Sequence, residues 1–165
     1  MPEELRLTPS ESVTVTSSTP DALVVEATYG PGGKPPPRHY HPAQDEHFEV
    51  LEGRMTFRLG SVERELEAGE EIDIPQGVSH QVWNPNDEPA RVTWETRPAL
   101  RTERWFRGVD AIVREAGGKT PSPLAFATLL SEYGDCFRLA VGPYVLVAPV
   151  IKALGAVGRL RGHRP

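Results

Sequence analysis

The chain has 165 residues, 38% hydrophobic and 25% charged, with a net charge of −5. That is enough for one domain with a real core, in the ordinary composition of a soluble globular protein. The single cysteine, Cys136, excludes an internal disulfide and any multi-cysteine zinc site. Residues 1–100 hold eight basic against eighteen acidic side chains, and residues 101–165 hold ten against five. The acidic front argues against nucleic acid as a partner, because phosphates would be repelled.

Seventeen prolines and fifteen glycines mean many turns, which favours a β-rich fold. Met1 to Glu11 shows no basic start followed by an apolar run, so no secretion signal is expected and the default location is the cytoplasm. From Ser12 to Glu95 the chain reads as short strands between turn signals. Residues 22–29 are rich in strand formers, and Gly30 to Pro37 must be a loop. Residues 38–41 and 46–51 read as strands flanking a turn at 42–45. Met55, Phe57 and Leu59 alternate with Arg54, Thr56 and Arg58, the mark of a half-buried strand. Ile72 and Ile74 alternate with Glu71 and Asp73, and further strands are expected over 79–83 and 90–95. Such spacing indicates a sandwich or barrel.

After Pro98 the texture changes. Trp105, Val109, Ile112 and Ala116 share a helical face, and Gly117-Gly118 is the expected stop. A second helix opens at Thr120-Pro-Ser-Pro123, with Phe126, Leu130, Tyr133 and Phe137 as its apolar stripe. The expected division is therefore a β-barrel over 1–98 and a helical extension over 99–165, without internal repeats. The apolar stretch Leu139 to Val157 has three readings: packing on the barrel or on a twin subunit, lying on a membrane surface with residues 139–164, or spanning a membrane. Pro143, Pro149, Gly142, Gly155 and Lys152 speak against a span. The first reading is preferred, with a homodimer expected and Trp83 a candidate for its contact.

Three of the five histidines fall into a pattern that metal binding explains. His39 and His41 sit two apart, so on a strand they project from one face. Glu46 opens the next strand after a four-residue gap, and His80 sits on a later strand that a closed barrel can place opposite. Three imidazoles and a carboxylate suit a first-row divalent ion, with iron, manganese, nickel, copper and zinc all compatible. His47 should point outward by alternation. Phe48 and Val50 share the inward face with Glu46. Phe57, Val82 and Trp94 are substrate-pocket wall or plain core.

These residues also carry a family resemblance. Gly33, five residues on to His39-Tyr-His41, four more to Glu46 and six more to Gly53 is similar to the first cupin motif. Gly69, five residues on to Pro75-Gln-Gly77, two more to His80 and three more to Asn84 is similar to the second. The resemblance, carried by residues 33–84, implies a mainly β fold. It would be a single-barrel jelly roll with His39, His41, Glu46 and His80 turned inward around one metal ion. The helical tail resembles the extension of a group of bacterial single-barrel cupins. The ligand set is similar to that of the quercetinase-type dioxygenases, in which Glu46 would serve as both ligand and base. The rival reading is a non-catalytic module that binds or senses a small molecule at the metal. A third is a barrel that mainly presents its helical tail to a partner.

Overall fold

The alternating segments form two antiparallel sheets in a computed structural model that describes residues 3–164. In chain order the strands are β1 (Glu4–Thr8), β2 (Glu11–Ser18), β3 (Leu23–Tyr29), β4 (His39–Tyr40), β5 (Asp45–Glu52), β6 (Arg54–Leu59), β7 (Val62–Glu67), β8 (Glu71–Ile74), β9 (His80–Trp83) and β10 (Ala90–Arg97). Helices α1 (Thr102–Glu115) and α2 (Pro123–Glu132) follow, then a short strand β11 (Arg138–Leu139) and helix α3 (Tyr144–Leu160). One sheet runs β1-β2-β3-β10-β5-β8 and the other β11-β4-β9-β6-β7. Their inner faces meet as a jelly roll: Phe48 of β5 touches Phe57 of β6 edge-on, with ring centroids 5.4 Å apart.

β1 and β7 lie at sheet edges. β7, Val-Glu-Arg-Glu-Leu-Glu, is an edge strand with only Leu66 buried, and its charges keep that edge from pairing with another chain. β1 is an edge of the other sheet and lies against α1. Asp110 of α1 accepts the Arg6 backbone N–H at 2.8 Å and the Arg114 guanidinium at 2.6 Å.

The motif glycines have measurable jobs. Gly53 takes φ +74°, and a Cβ there would sit 2.6 Å from the Pro89 carbonyl oxygen. A Cβ on Gly33 would come within 2.9 Å of the Asn84 carbonyl, which instead accepts the Gly33 N–H at 2.7 Å. The ends of the two motifs are thereby joined. Asn84 caps the following turn, its Oδ1 accepting from the Asn86 N–H at 3.0 Å.

The tail departs from the expected plan. α2 opens at an N-cap, Ser122 Oγ accepting from the Ala125 N–H at 3.1 Å, but it ends at Glu132. Tyr133 is its C-cap and Phe137 is not on the helix. The chain turns at Gly134 and enters β11, which pairs with β4 (Leu139 opposite His39). α3 then packs on α2 rather than on the barrel, through Gly155 and Gly158, where the backbones approach closely. Its other face is open: Val145, Leu146 and Val150 are 75, 69 and 59% exposed. Among the described residues no helix is long and apolar enough to cross a membrane. Trp83, expected at a dimer contact, is buried at 6% exposure with Arg58 stacked 5.1 Å over its ring, so it offers no free surface.

A Cβ on Gly158 would overlap Thr128 Oγ1 and lie 3.0 Å from the Leu124 carbonyl oxygen. Gly158→Val is expected to cost about 1–3 kcal/mol by overpacking the α2–α3 seam. Denaturant titration of the purified variant measures this, and an unchanged midpoint would contradict the packing described.

Candidate metal centre

The proline-rich loop before β4 and Pro42 after it leave room for only a two-residue ladder. His39 lies on that ladder, directly opposite His80 of β9. His41 falls just beyond it, where its carbonyl accepts the Gly77 N–H at 2.8 Å. The Pro75-Gln-Gly77 turn that delivers His80 is thus tied to the backbone of His41. Glu46 comes from the opposing sheet, on β5, and is 3% exposed.

The four side chains converge. Ring nitrogens of His39, His41 and His80 lie within 4.8 Å of one another. Glu46 Oε1 stands 3.2 Å from His41 Nε2, and Oε2 stands 3.0 Å from His80 Nε2. Each imidazole is oriented from behind by a backbone carbonyl. His39 Nδ1 faces the Pro37 oxygen at 3.2 Å, His41 Nδ1 the Cys136 oxygen at 2.6 Å and His80 Nδ1 the Val78 oxygen at 2.9 Å. A carbonyl only accepts, so each Nδ1 carries a proton and leaves Nε2 as the ligating atom of the neutral ring, the arrangement metal-binding imidazoles adopt. His41 Nε2 is buried without a hydrogen-bond partner, 3.2 Å from Glu46 Oε1. A histidine lone pair and a carboxylate oxygen at that distance repel unless a proton or a cation lies between them. The donor set therefore fits a divalent ion.

Protonation follows the same logic. Burial pushes His39 well below the ordinary imidazole value, and the neighbouring His80 and His41 push it the same way. Burial also lowers His41, with Glu46 offsetting part of the effect. For His80 the burial penalty is outweighed by its hydrogen bond to Glu46, so its pKa is raised above the ordinary 6.5. Burial alone would raise Glu46, but the surrounding imidazoles hold it below the usual carboxylate range. In metal-free protein, then, His80 is the ligand that carries a proton, and an ion must displace it. Metal uptake from slightly acidic solution is expected to release the His80 proton, and affinity should fall as pH falls. Calorimetry in two buffers of different ionisation enthalpy counts the proton. Release unchanged in His80→Ala would contradict this assignment.

The tail beyond β10 is part of the site, which the sequence did not reveal. The Cys136 carbonyl holds His41, and the Phe137 ring stacks on His39 at 4.4 Å and 18° between planes. Phe137 in turn stacks on Trp105 of α1 at 4.8 Å. Gln44, just before Glu46, donates to the Pro98 carbonyl and to Thr102 Oγ1, both at 2.8 Å, and so fastens the start of α1 beside the motif.

A cavity of about 170 Å³ opens from the imidazoles. Of the expected wall residues, Phe48, Val82 and Trp94 line it, whereas Val50 and Phe57 are fully buried in the core behind it. Trp94 also donates its indole N–H to Glu46 Oε1 at 2.9 Å. The remaining wall is largely aromatic, with Trp105, Phe106, Phe126 and Phe137. Its lining contains no Lys or Arg. His47 turns outward and bonds Asp73 at 2.8 Å. The polar wall residues Glu11 and Tyr29 are, like these aromatics, additions to the expected wall.

The comparisons agree with this architecture. Residues 25–95 match the family model described as Cupin domain. The tetracenomycin polyketide synthase protein TcmJ of Streptomyces glaucescens is 33% identical over 60 residues, 36% of this chain and 40% of that protein. The chain thus matches well under half of that relative's length. Among solved structures, a sugar phosphate isomerase of the cupin superfamily from Silicibacter pomeroyi superposes with a TM-score of 0.51 and 26% identity, covering 55% of this chain and 61% of its own. An RmlC-like cupin from Shewanella frigidimarina superposes at 0.56 with 16% identity, covering 62% and 89%, a likeness of fold alone. Over residues 25–95 the chain is thus similar to the cupin family, with one jelly-roll barrel followed by C-terminal helices.

Proposed function

We propose that this protein holds one divalent ion through His39, His41, Glu46 and His80 and acts on a small ring-sized organic molecule in the adjoining cavity, in the manner of a dioxygenase. The observation that carries the reading is the set of three imidazoles locked by backbone carbonyls with their Nε2 atoms facing inward at an aromatic-walled cavity. When bound, the ion would supply Lewis acidity and a common site for substrate and dioxygen.

The protein's own residues limit what can enter. An apolar cavity of about 150 Å³ accepts one benzene ring, so about 170 Å³ suits a single ring and not a three-ring flavonol. The absence of Lys and Arg from the lining disfavours a sugar phosphate, whose charge would find no partner there. The polyketide synthase association of TcmJ, by its name, supports an oxygenated aromatic or enolic substrate. Trp94 and His80 hold the Glu46 carboxylate, which keeps it oriented and ionised, while Trp105 and Phe137 keep water out.

Metal analysis of protein purified without added metal, followed by oxygen uptake with single-ring phenols, tests the reading. Uptake that requires metal and disappears in His80→Ala supports it. Tight binding of a phenol with no conversion by the metal-loaded protein would instead assign a non-catalytic binding module.

A further inference from the structure

The cavity has a second polar pole. Glu11 of β2 and Tyr29 of β3 are direct partners in the antiparallel ladder, and both line the cavity that the histidines face. The Tyr29 hydroxyl donates to the Glu11 carboxylate. Tyr29 is 6% exposed. Among the described residues Glu11 has no ion pair with Lys, Arg or His, although fourteen such pairs form elsewhere. Thr8 is the other polar wall residue outside the histidine cluster, and its hydroxyl is engaged by the Ser10 N–H at 3.3 Å. Apart from these, the wall around Glu11 is aromatic and aliphatic.

A carboxylate in apolar surroundings costs several kcal/mol of solvation unless something compensates it. One tyrosine hydroxyl satisfies one of about four acceptor positions. A core pair that served packing alone would lie behind the wall; this one lies in it.

We propose that Glu11, braced by Tyr29, anchors a hydroxyl of the ligand and thereby selects a single-ring compound bearing two oxygen substituents. One oxygen faces the imidazoles and the other donates to Glu11. The inference rests on the proposed function, in that the ligand occupies this cavity. Burial raises Glu11 to about 7, with the Tyr29 bond offsetting part of the rise, so near neutral pH the carboxyl group can accept a hydrogen bond from a ligand hydroxyl or donate one to it. A hydrogen bond to a charged acceptor is of the strong class, and tenfold is a modest expectation for it at this half-buried carboxylate.

The test uses the full chain loaded with zinc, which is redox-silent, and reads phenol, catechol, resorcinol and hydroquinone by quenching of tryptophan fluorescence without oxygen. At least one dihydroxybenzene should bind about tenfold more tightly than phenol. The preference should vanish in Glu11→Leu and shrink in Tyr29→Phe and Glu11→Gln, while all variants keep one zinc per chain. Equal affinity for phenol and every dihydroxybenzene, no binding of any of them, or a preference that survives Glu11→Leu would overturn the proposal. Should wild-type protein retain no zinc, the metal assignment fails on its own. A Glu11-dependent preference in the metal-free protein would still support the anchor, and its absence would overturn it. If Glu11→Leu does not fold, the conservative Gln and Phe variants decide: a preference undiminished in both overturns the anchor.

Discussion

His80→Ala is expected to lower affinity for a divalent ion more than about 100-fold. Structural zinc sites bind with roughly 10–16 kcal/mol shared over four ligands, or about 3 kcal/mol each, and a factor of ten corresponds to about 1.4 kcal/mol. His80 is 2% exposed and is ladder partner to His39, so alanine removes one of the donors held in fixed position by the sheet. The loss also strips Glu46 Oε2 of its 3.0 Å neighbour. The carboxylate then keeps only Trp94 and His41, and its pKa should move up toward the ordinary range. The control is His47→Ala. That imidazole sits next to Glu46 in sequence but points outward to Asp73, and its loss should leave metal content unchanged. Competition with a chromophoric chelator gives the affinities. A His80→Ala protein that still carries one ion per chain would remove His80 from the ligand set.

How much of this was legible beforehand depended on the range of each interaction. The inner strands were readable because burial of one face imposes a period of two on residues such as Met55 and Phe57. The edge β7 was not, since it has little to bury and reads as a run of charges. The histidine pattern survived because ligand spacing is local: two residues on a strand, then one turn. Tail and barrel looked separate for the opposite reason. Cys136 lies 95 residues from the imidazole it orients, and a carbonyl oxygen has no signature in sequence. Phe137 falls at helical spacing after Phe126, Leu130 and Tyr133, so it read as one more stripe position. Gly134 was the overlooked signal. A Cβ there would approach the Tyr144 hydroxyl at 2.5 Å, and the chain turns at that point instead of continuing the helix. Glu11 opens a strand whose alternation looks solvent-facing. Only the register that sets it opposite Tyr29 places it at the cavity.

Phe137→Ala follows from that integration of tail and barrel and should change both stability and ligand size. The ring lies flat on His39 and on Trp105, closing the cavity between the metal cluster and α1. Its removal deletes buried aromatic area, at a cost of about 3 kcal/mol, the lower end of the range for Phe→Ala because the ring is only partly buried. The His39 ring loses the surface that fixes its plane, and loss of an outer-shell partner typically weakens metal binding about 10–100-fold. Phe137→Leu keeps most of the volume and should recover most of the stability. The selectivity change separates a cavity wall from a plain core residue. Wild-type protein should accept phenol and reject 1-naphthol, since about 170 Å³ holds one ring. Phe137→Ala vacates the space of a second ring and should bind 1-naphthol. Core repair around the deletion would instead leave both variants equally closed to it. Fluorescence titration of the two phenols against both proteins distinguishes these results, and rejection of 1-naphthol by a folded Phe137→Ala protein would mean that the tail does not bound the ligand space.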